Sequence, residues 1–108
     1  MLIGINSECG EELQKKFNVR QQLVKLGKKY RKLDKNVKMG IVEMEKNFIY
    51  YLNCGSNIDE LMYFYDHHNR ECRNLLSQWS NTDKNFNKNL RGRMIVLSEI
   101  SKVFTGEI

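Results

Sequence analysis

Apolar residues recur at every third or fourth position along two runs of the chain. The first run is Leu23, Leu26, Tyr30, Leu33, Val37, Ile41, Met44, Phe48 and Tyr51, and the second is Ile58, Leu61, Tyr65, His68, Cys72, Leu75 and Trp79. That spacing puts each set on one stripe of an α-helix, and stripes of this length imply helices packed lengthwise on one another. Between the runs, Asn53 and Gly55 suit the left-handed conformation that closes a helix, and Ser56 with Asp59 has the spacing of a capping box for the next one. A second break at Ser80-Asn81-Thr82-Asp83 supplies another N-cap. A last helix then carries Phe86, Leu90, Leu97, Ile100 and Phe104 inward.

The pattern therefore predicts an all-α fold: an antiparallel three-helix bundle with coiled-coil-like packing and one long first helix. The expected helices cover about 18–53, 57–79 and 84–104 within a single domain, 1–108. The start near Asn18 rests on a capping box with Gln21, with Phe17 as its hydrophobic staple. Residues 1–17 are left unassigned, because Gly4 and Gly10 interrupt any periodicity while Glu11, Leu13 and Phe17 would suit a short helix. Gly40 sits inside the first stripe, where it costs about 1 kcal/mol relative to Ala. It marks a bend or a close helix crossing, or is an exposed glycine the helix tolerates.

Composition adds little to this and contradicts none of it. At 108 residues with 41% hydrophobic residues, the chain can bury a modest core without disulfides or metal. It lacks Pro, which favours long helices. It also lacks Ala and holds twelve Asn and twelve Lys, which points to a compositional bias rather than selection for helix. No apolar stretch approaches the roughly 20 residues of a membrane span, and Met1-Leu2-Ile3-Gly4-Ile5 lacks the basic flank of a secretory signal. The expectation is an intracellular protein, cytoplasmic by default. Three scattered cysteines, Cys9, Cys54 and Cys72, are too few for a disulfide framework and read as small apolar fillers.

Charge is segregated. Residues 15–38 hold ten Lys or Arg and a single acid, Asp34, a net +9 in a chain whose total is +5. On a continuous first helix, Lys25, Lys28, Arg31, Lys32, Lys35 and Lys38 form an outward basic face roughly 20 Å long. Antiparallel neighbours would put Lys25 beside the second turn, where Arg70, Arg73, Lys84, Lys88, Arg91 and Arg93 outweigh Glu71 and Asp83. Segments 15–38 and 69–93 then carry +13 and the remainder −8, a molecule polar along its axis. Helix-dipole complementarity explains this for the second helix only, since Lys and Arg crowd the N-terminal halves of the other two. The candidate surface for a polyanion or an acidic partner is Lys25, Lys28, Arg31, Lys32, Lys35, Lys38, Lys84, Lys88 and Arg91. A charged helix face is also often just a solvated one, and no zinc-finger spacing, ribonucleoprotein motif or helix-turn-helix accompanies it.

At the other end, Phe48-Ile49-Tyr50-Tyr51-Leu52 and Leu61-Met62-Tyr63-Phe64-Tyr65 are apolar around more than a full helical turn. One helix face cannot bury five consecutive residues, so Phe48, Ile49, Tyr50, Tyr51, Met62, Tyr63 and Phe64 are the candidate protein interface. The competing reading is that the tyrosine hydroxyls reach water while residues 1–17 cover the rest.

No pattern in the chain carries catalytic chemistry. His68 and Cys72 have the one-turn spacing of metal ligands, but they lie on the apolar stripe, and no second ligand pair supports them. Glu43 and Glu45 point to different sides of a helix and cannot work as an acid–base pair. Glu-x-x-His pairs, a phosphate-cradling glycine loop and a nucleophile elbow are absent. No metal, cofactor or enzymatic activity is expected, and no family resemblance is specific enough to name. The sequence reads as a non-enzymatic helical protein–protein interaction module, a small subunit or adaptor of a homo-oligomer or larger assembly. The alternative is a sequence-non-specific nucleic-acid- or ribosome-associated protein using the basic helix face.

Overall fold

A computed structural model shows four α-helices among the described residues: α1 (Leu2–Lys29), α2 (Lys35–Asn53), α3 (Ile58–Trp79) and α4 (Lys84–Phe104). The structure describes residues 2–30, 32–79 and 83–107, with residues 2–9 and 79 described by backbone alone. Arg31 and Ser80-Asn81-Thr82 lie outside the described residues, as do the side chains of Cys9 and Trp79.

The class is all-α, but the expected single first helix is two. The chain reverses after Lys29, and Asp34 opens α2 as an N-cap, its carboxylate accepting a 2.8 Å hydrogen bond from the Asn36 amide. The apolar spacing runs through this reversal undisturbed, because Tyr30 and Leu33 stay partly buried against the core. The expected start at Asn18 is also overturned. Asn18 lies in mid-helix, where its side chain accepts a 3.1 Å hydrogen bond from Gln14. Residues 2–17 are the first half of α1. That half is anchored where Glu12 reaches across to accept the Ile58 amide at 2.8 Å, an otherwise orphaned donor at the start of α3.

The other boundaries agree with the pattern or shift by one residue. Gly55 has φ +83°, and its amide and that of Ser56 bond back to Leu52 and Tyr51, closing α2. The box that opens α3 pairs Asn57 with Glu60, each side chain accepting the other's amide, instead of Ser56 with Asp59. Asp83 caps α4 as expected, accepting from the Asn85 and Phe86 amides.

Helices α2, α3 and α4 run up, down and up, so α2 and α4 are parallel neighbours. Their axes approach until backbones touch. A Cβ at Gly40 would overlap the Asn89 carbonyl oxygen, and one at Gly92 would overlap the Val37 carbonyl oxygen. Gly40 thus marks a close crossing, and Gly92 is its counterpart. Around this seam Met44, Phe48, Leu61, Leu90, Val96, Leu97, Ile100 and Val103 are almost wholly buried. Helix α1 lies antiparallel to α2 and completes the core with Val19, Leu23 and Leu26. At 28 residues, about 42 Å at the helical rise, α1 is the longest element in a molecule 57 Å long.

Candidate interaction surfaces

The α1–α2 reversal gathers the basic residues at one end of the bundle more tightly than one long helix would have done. The last turns of α1 (Lys25, Lys28), Lys32, the first turns of α2 (Lys35, Lys38) and those of α4 (Lys84, Lys88, Arg91) all lie there. Arg31 is outside the described residues. The reversal also carries Lys15, Lys16 and Arg20 to the opposite end. Among described side chains, residues 21–42 and 69–93 therefore carry a net +9 and the rest −4, in place of the expected +13 and −8. The polarity persists at reduced amplitude.

Two polar clusters organise this end. Lys88 Nζ lies 3.1 Å from the Asp34 carboxylate, tying α4 to the cap of α2. The Asn36 capping amide and Lys88 together hold the Asp34 carboxyl below its usual range. One turn further along the seam, Glu43 pairs with Arg93, whose Nε donates to Asn89 Oδ1 at 2.8 Å, and Asn89 in turn reaches Glu43 at 3.5 Å. Lys25, Lys28, Lys32, Lys35, Lys38, Lys84 and Arg91 form no ion pair with another described residue. They remain available to an external anion.

The expected apolar belt is divided. Phe48 is 0% exposed and belongs to the core, so it is not part of an external surface. Tyr51 and Phe64 are half-buried and stacked on each other, with ring centroids 4.0 Å apart. The Tyr51 hydroxyl lies 2.7 Å from His68 Nε2, so its polar end is satisfied within the molecule. Ile49, Tyr50, Met62 and Tyr63 do face solvent, with Tyr50 and Tyr63 about two-thirds exposed. Met62 and Tyr63 stand on the outer side of α3 at the end opposite the lysines.

A larger apolar surface lies elsewhere and was not anticipated. Leu13, Phe17 and Val24 on α1, and Met39, Val42 and Ile49 on α2, are all substantially exposed. Between α1 and α2 runs a groove lined by Arg20, Leu23, Val24, Glu45 and Ile49, continuing past Leu26, Gly27 and Ile41. Burial there pushes the Glu45 carboxyl up. On the far side of Val42 a depression of about 530 Å³ is floored by Leu33, Met39 and Val42 and rimmed by Lys35, Lys38 and Lys46, with the Arg93-paired Glu43 at its edge. The sequence signal for this surface was apolar residues standing off the main stripe, at positions 24, 39, 42 and 49.

His68 and Cys72 share the inner side of α3. Burial, followed by the neighbouring His67, pushes the His68 imidazole down, and burial pushes the Cys72 thiol up. Both effects favour the neutral forms. Among the described residues no three His, Cys, Asp or Glu side chains converge as a metal site would need, and no helix is long and apolar enough to cross a membrane. Comparison with known proteins finds no family model, no curated protein and no solved structure that matches this chain.

Proposed function

We propose that this chain is a non-enzymatic helical protein–protein interaction module, a small subunit or adaptor that works as part of a homo-oligomer or larger assembly. The observation that carries this reading is the exposed apolar surface on α1 and α2. Leu13, Phe17, Val24, Met39, Val42 and Ile49 remain in water although Val19, Leu23, Leu26 and Ile41 on the same two helices are buried, and surfaces of this kind are stabilised by a covering partner. Tyr50, Met62 and Tyr63 add a second, smaller patch of residue types that interfaces favour. Sizing of the untagged protein in an extract of the cells that make it tests the reading. The wild type should run well above its own 12.8 kDa, and a Val24→Glu/Val42→Glu variant should run as free chain. A wild type that already runs as free chain would remove the proposal.

A second reading has its own support in the basic end, where the fold collects Lys25, Lys28, Lys32, Lys35, Lys38, Lys84, Lys88 and Arg91 around a net +9. A sequence-non-specific nucleic-acid- or ribosome-associated protein would use this end on phosphates. Titration with generic RNA and duplex DNA at physiological salt should then give binding in about the micromolar to 100-micromolar range. It should weaken across unrelated sequences when Lys28, Lys32 and Lys35 are neutralised together. No binding at millimolar nucleotide would eliminate this reading.

A further inference from the structure

Two exposed stripes, one on α2 and one on α3, each set apolar residues between charges, and the charges are of opposite sign. On α2, Lys38, Met39, Val42 and Lys46 fall at i, i+1, i+4 and i+8, with Lys35 one turn earlier and Leu33 completing an apolar floor. On α3, Asp59, Met62, Tyr63 and Asp66 fall at i, i+3, i+4 and i+7, the spacing by which an amphipathic helix seats its anchors in a groove. Met62 is 44% and Tyr63 65% exposed. The first stripe is a concave apolar floor rimmed by cations, and the second is a convex apolar ridge flanked by acids.

We propose that the partner this module takes through the Leu33–Met39–Val42 depression is a second copy of the same chain, which presents the Asp59–Met62–Tyr63–Asp66 face of its α3. The proposal rests on the interaction-module reading and names the occupant. Three observations support it. The charges complement each other, three lysines around the depression against Asp59 and Asp66, while the one carboxylate at the depression's edge, Glu43, is already held by Arg93. The spacing agrees, since Lys38 to Lys46 spans about 12 Å of helix and Asp59 to Asp66 about 10 Å at the helical rise. The molecule as a whole is polar in the same sense, with a net +9 over residues 21–42 and 69–93 and −4 over the other described side chains, which orients two copies before they touch.

One charge on the ridge is already engaged: Asp66 pairs with Arg70 at 2.9 Å. Both members are mostly exposed, so water screens the pair and a lysine can replace Arg70. The Glu60 carboxylate accepts the Asn57 amide at 3.1 Å within the α3 cap and is not needed for the contact.

A contact with two unlike sides makes a specific demand: variants broken on opposite sides must complement each other, while either alone cannot self-associate. The experiment is sedimentation of the purified chain from micromolar to near-millimolar concentration, at low and high salt. Wild type should self-associate, less so at high salt. The groove variant Lys38→Glu/Lys46→Glu and the ridge variant Asp59→Lys/Asp66→Lys should each lose at least tenfold in association constant. Their equimolar mixture should recover association at one-to-one stoichiometry. Helical circular dichroism keeps misfolding from imitating the loss; Lys46, Asp59 and Asp66 are exposed and Lys38 is partly buried.

A chain that stays monomeric throughout, variants that associate as wild type does, or a mixture that fails to recover would each overturn the proposal. A groove variant that loses only RNA binding would overturn it too, in favour of a phosphate-binding role for these lysines. If the purified chain is monomeric but the chain in cell extract is large, the self-contact fails and the module reading stands. If both run as free chain, both fail.

Discussion

Helix α2 meets α4 on one side and α1 on another, and the two contacts have opposite character. Against α4, Gly40 and Gly92 strip the crossing of side chains, and the backbones touch. Against α1, Glu45 and Ile49 line a groove with Arg20 and Val24, and Val42 lines its continuation beside Leu26 and Gly27. Interhelical distance follows the side chains at the crossing. One helix can therefore close on one neighbour at the backbone and meet the other through side chains, and the glycines mark the closed side.

The sharpest way to break this contrast is to add a methyl group on each side of it. Gly40→Ala or Gly92→Ala should destabilise the protein by about 2–3 kcal/mol or more, because backbone atoms must separate, and despite the roughly 1 kcal/mol of helix propensity that Ala brings. Gly27, which has nothing within 4 Å of its would-be Cβ, should respond the other way, with Gly27→Ala stabilising by up to about 1 kcal/mol. Urea unfolding measures all three. Equal effects at Gly27 and Gly40 would mean that the seam is not closed at the backbone.

A smaller effect is expected at the cap of the seam. Asp83→Ala removes the acceptor for the Asn85 and Phe86 amides and should cost about 1 kcal/mol, with Asp83→Asn retaining most of the stability.

The pH dependence should be smaller still. Burial lowers the His68 pKa from 6.5 in the folded state, so the unfolded chain binds the proton more readily. The stabilising contribution is complete above the unfolded pKa and is lost as pH falls through the folded one. Melting temperature should drop as pH falls below about 6.5, the ordinary imidazole value, and His68→Gln, which keeps a hydrogen-bond partner for the Tyr51 hydroxyl, should flatten that slope. An unchanged slope would show that other groups set it.

The smallest effect belongs to the groove. Val24→Ala and Val42→Ala should alter stability by no more than about 0.5 kcal/mol, since both side chains are about half exposed. The same substitutions should still weaken association, and a large loss of stability would mean that these residues serve the fold.

The sequence made the core legible and hid the path of the chain through it. Leu23, Leu26, Ile41, Met44 and Phe48 are buried as their spacing required. Spacing, however, is blind to a reversal whose residues keep the same phase, and Tyr30 and Leu33 keep it. Only Asp34, an N-cap residue with no Gly or Pro beside it, signalled the break, and a single aspartate among lysines reads more readily as charge. Gly40 was legible as an irregularity, but its meaning depended on Gly92, about fifty residues away. The exposed part of the belt was legible only in part, for a related reason. Five consecutive apolar residues cannot share one face, yet Phe48 and Leu61 found the core while Tyr51 and Phe64 covered each other, leaving less surface than the run suggested. The basic end was legible as composition, although which lysines reach it depended on the fold.

The seam also bears on the order in which the molecule opens. It joins segments about fifty residues apart and closes only after α3 has turned the chain back, whereas the first turns of α1 lie beyond Glu12, the residue that fastens that helix to the start of α3. Contacts that bridge such distances belong to the globally cooperative unit, and the free end of a terminal helix opens by local fraying. Amide exchange should therefore be slowest at Met44 and Val96, limited by complete unfolding, and fastest in α1 before Glu12, the point where that helix is fastened to the start of α3. Uniform protection along α1 would place the whole of it inside the cooperative unit.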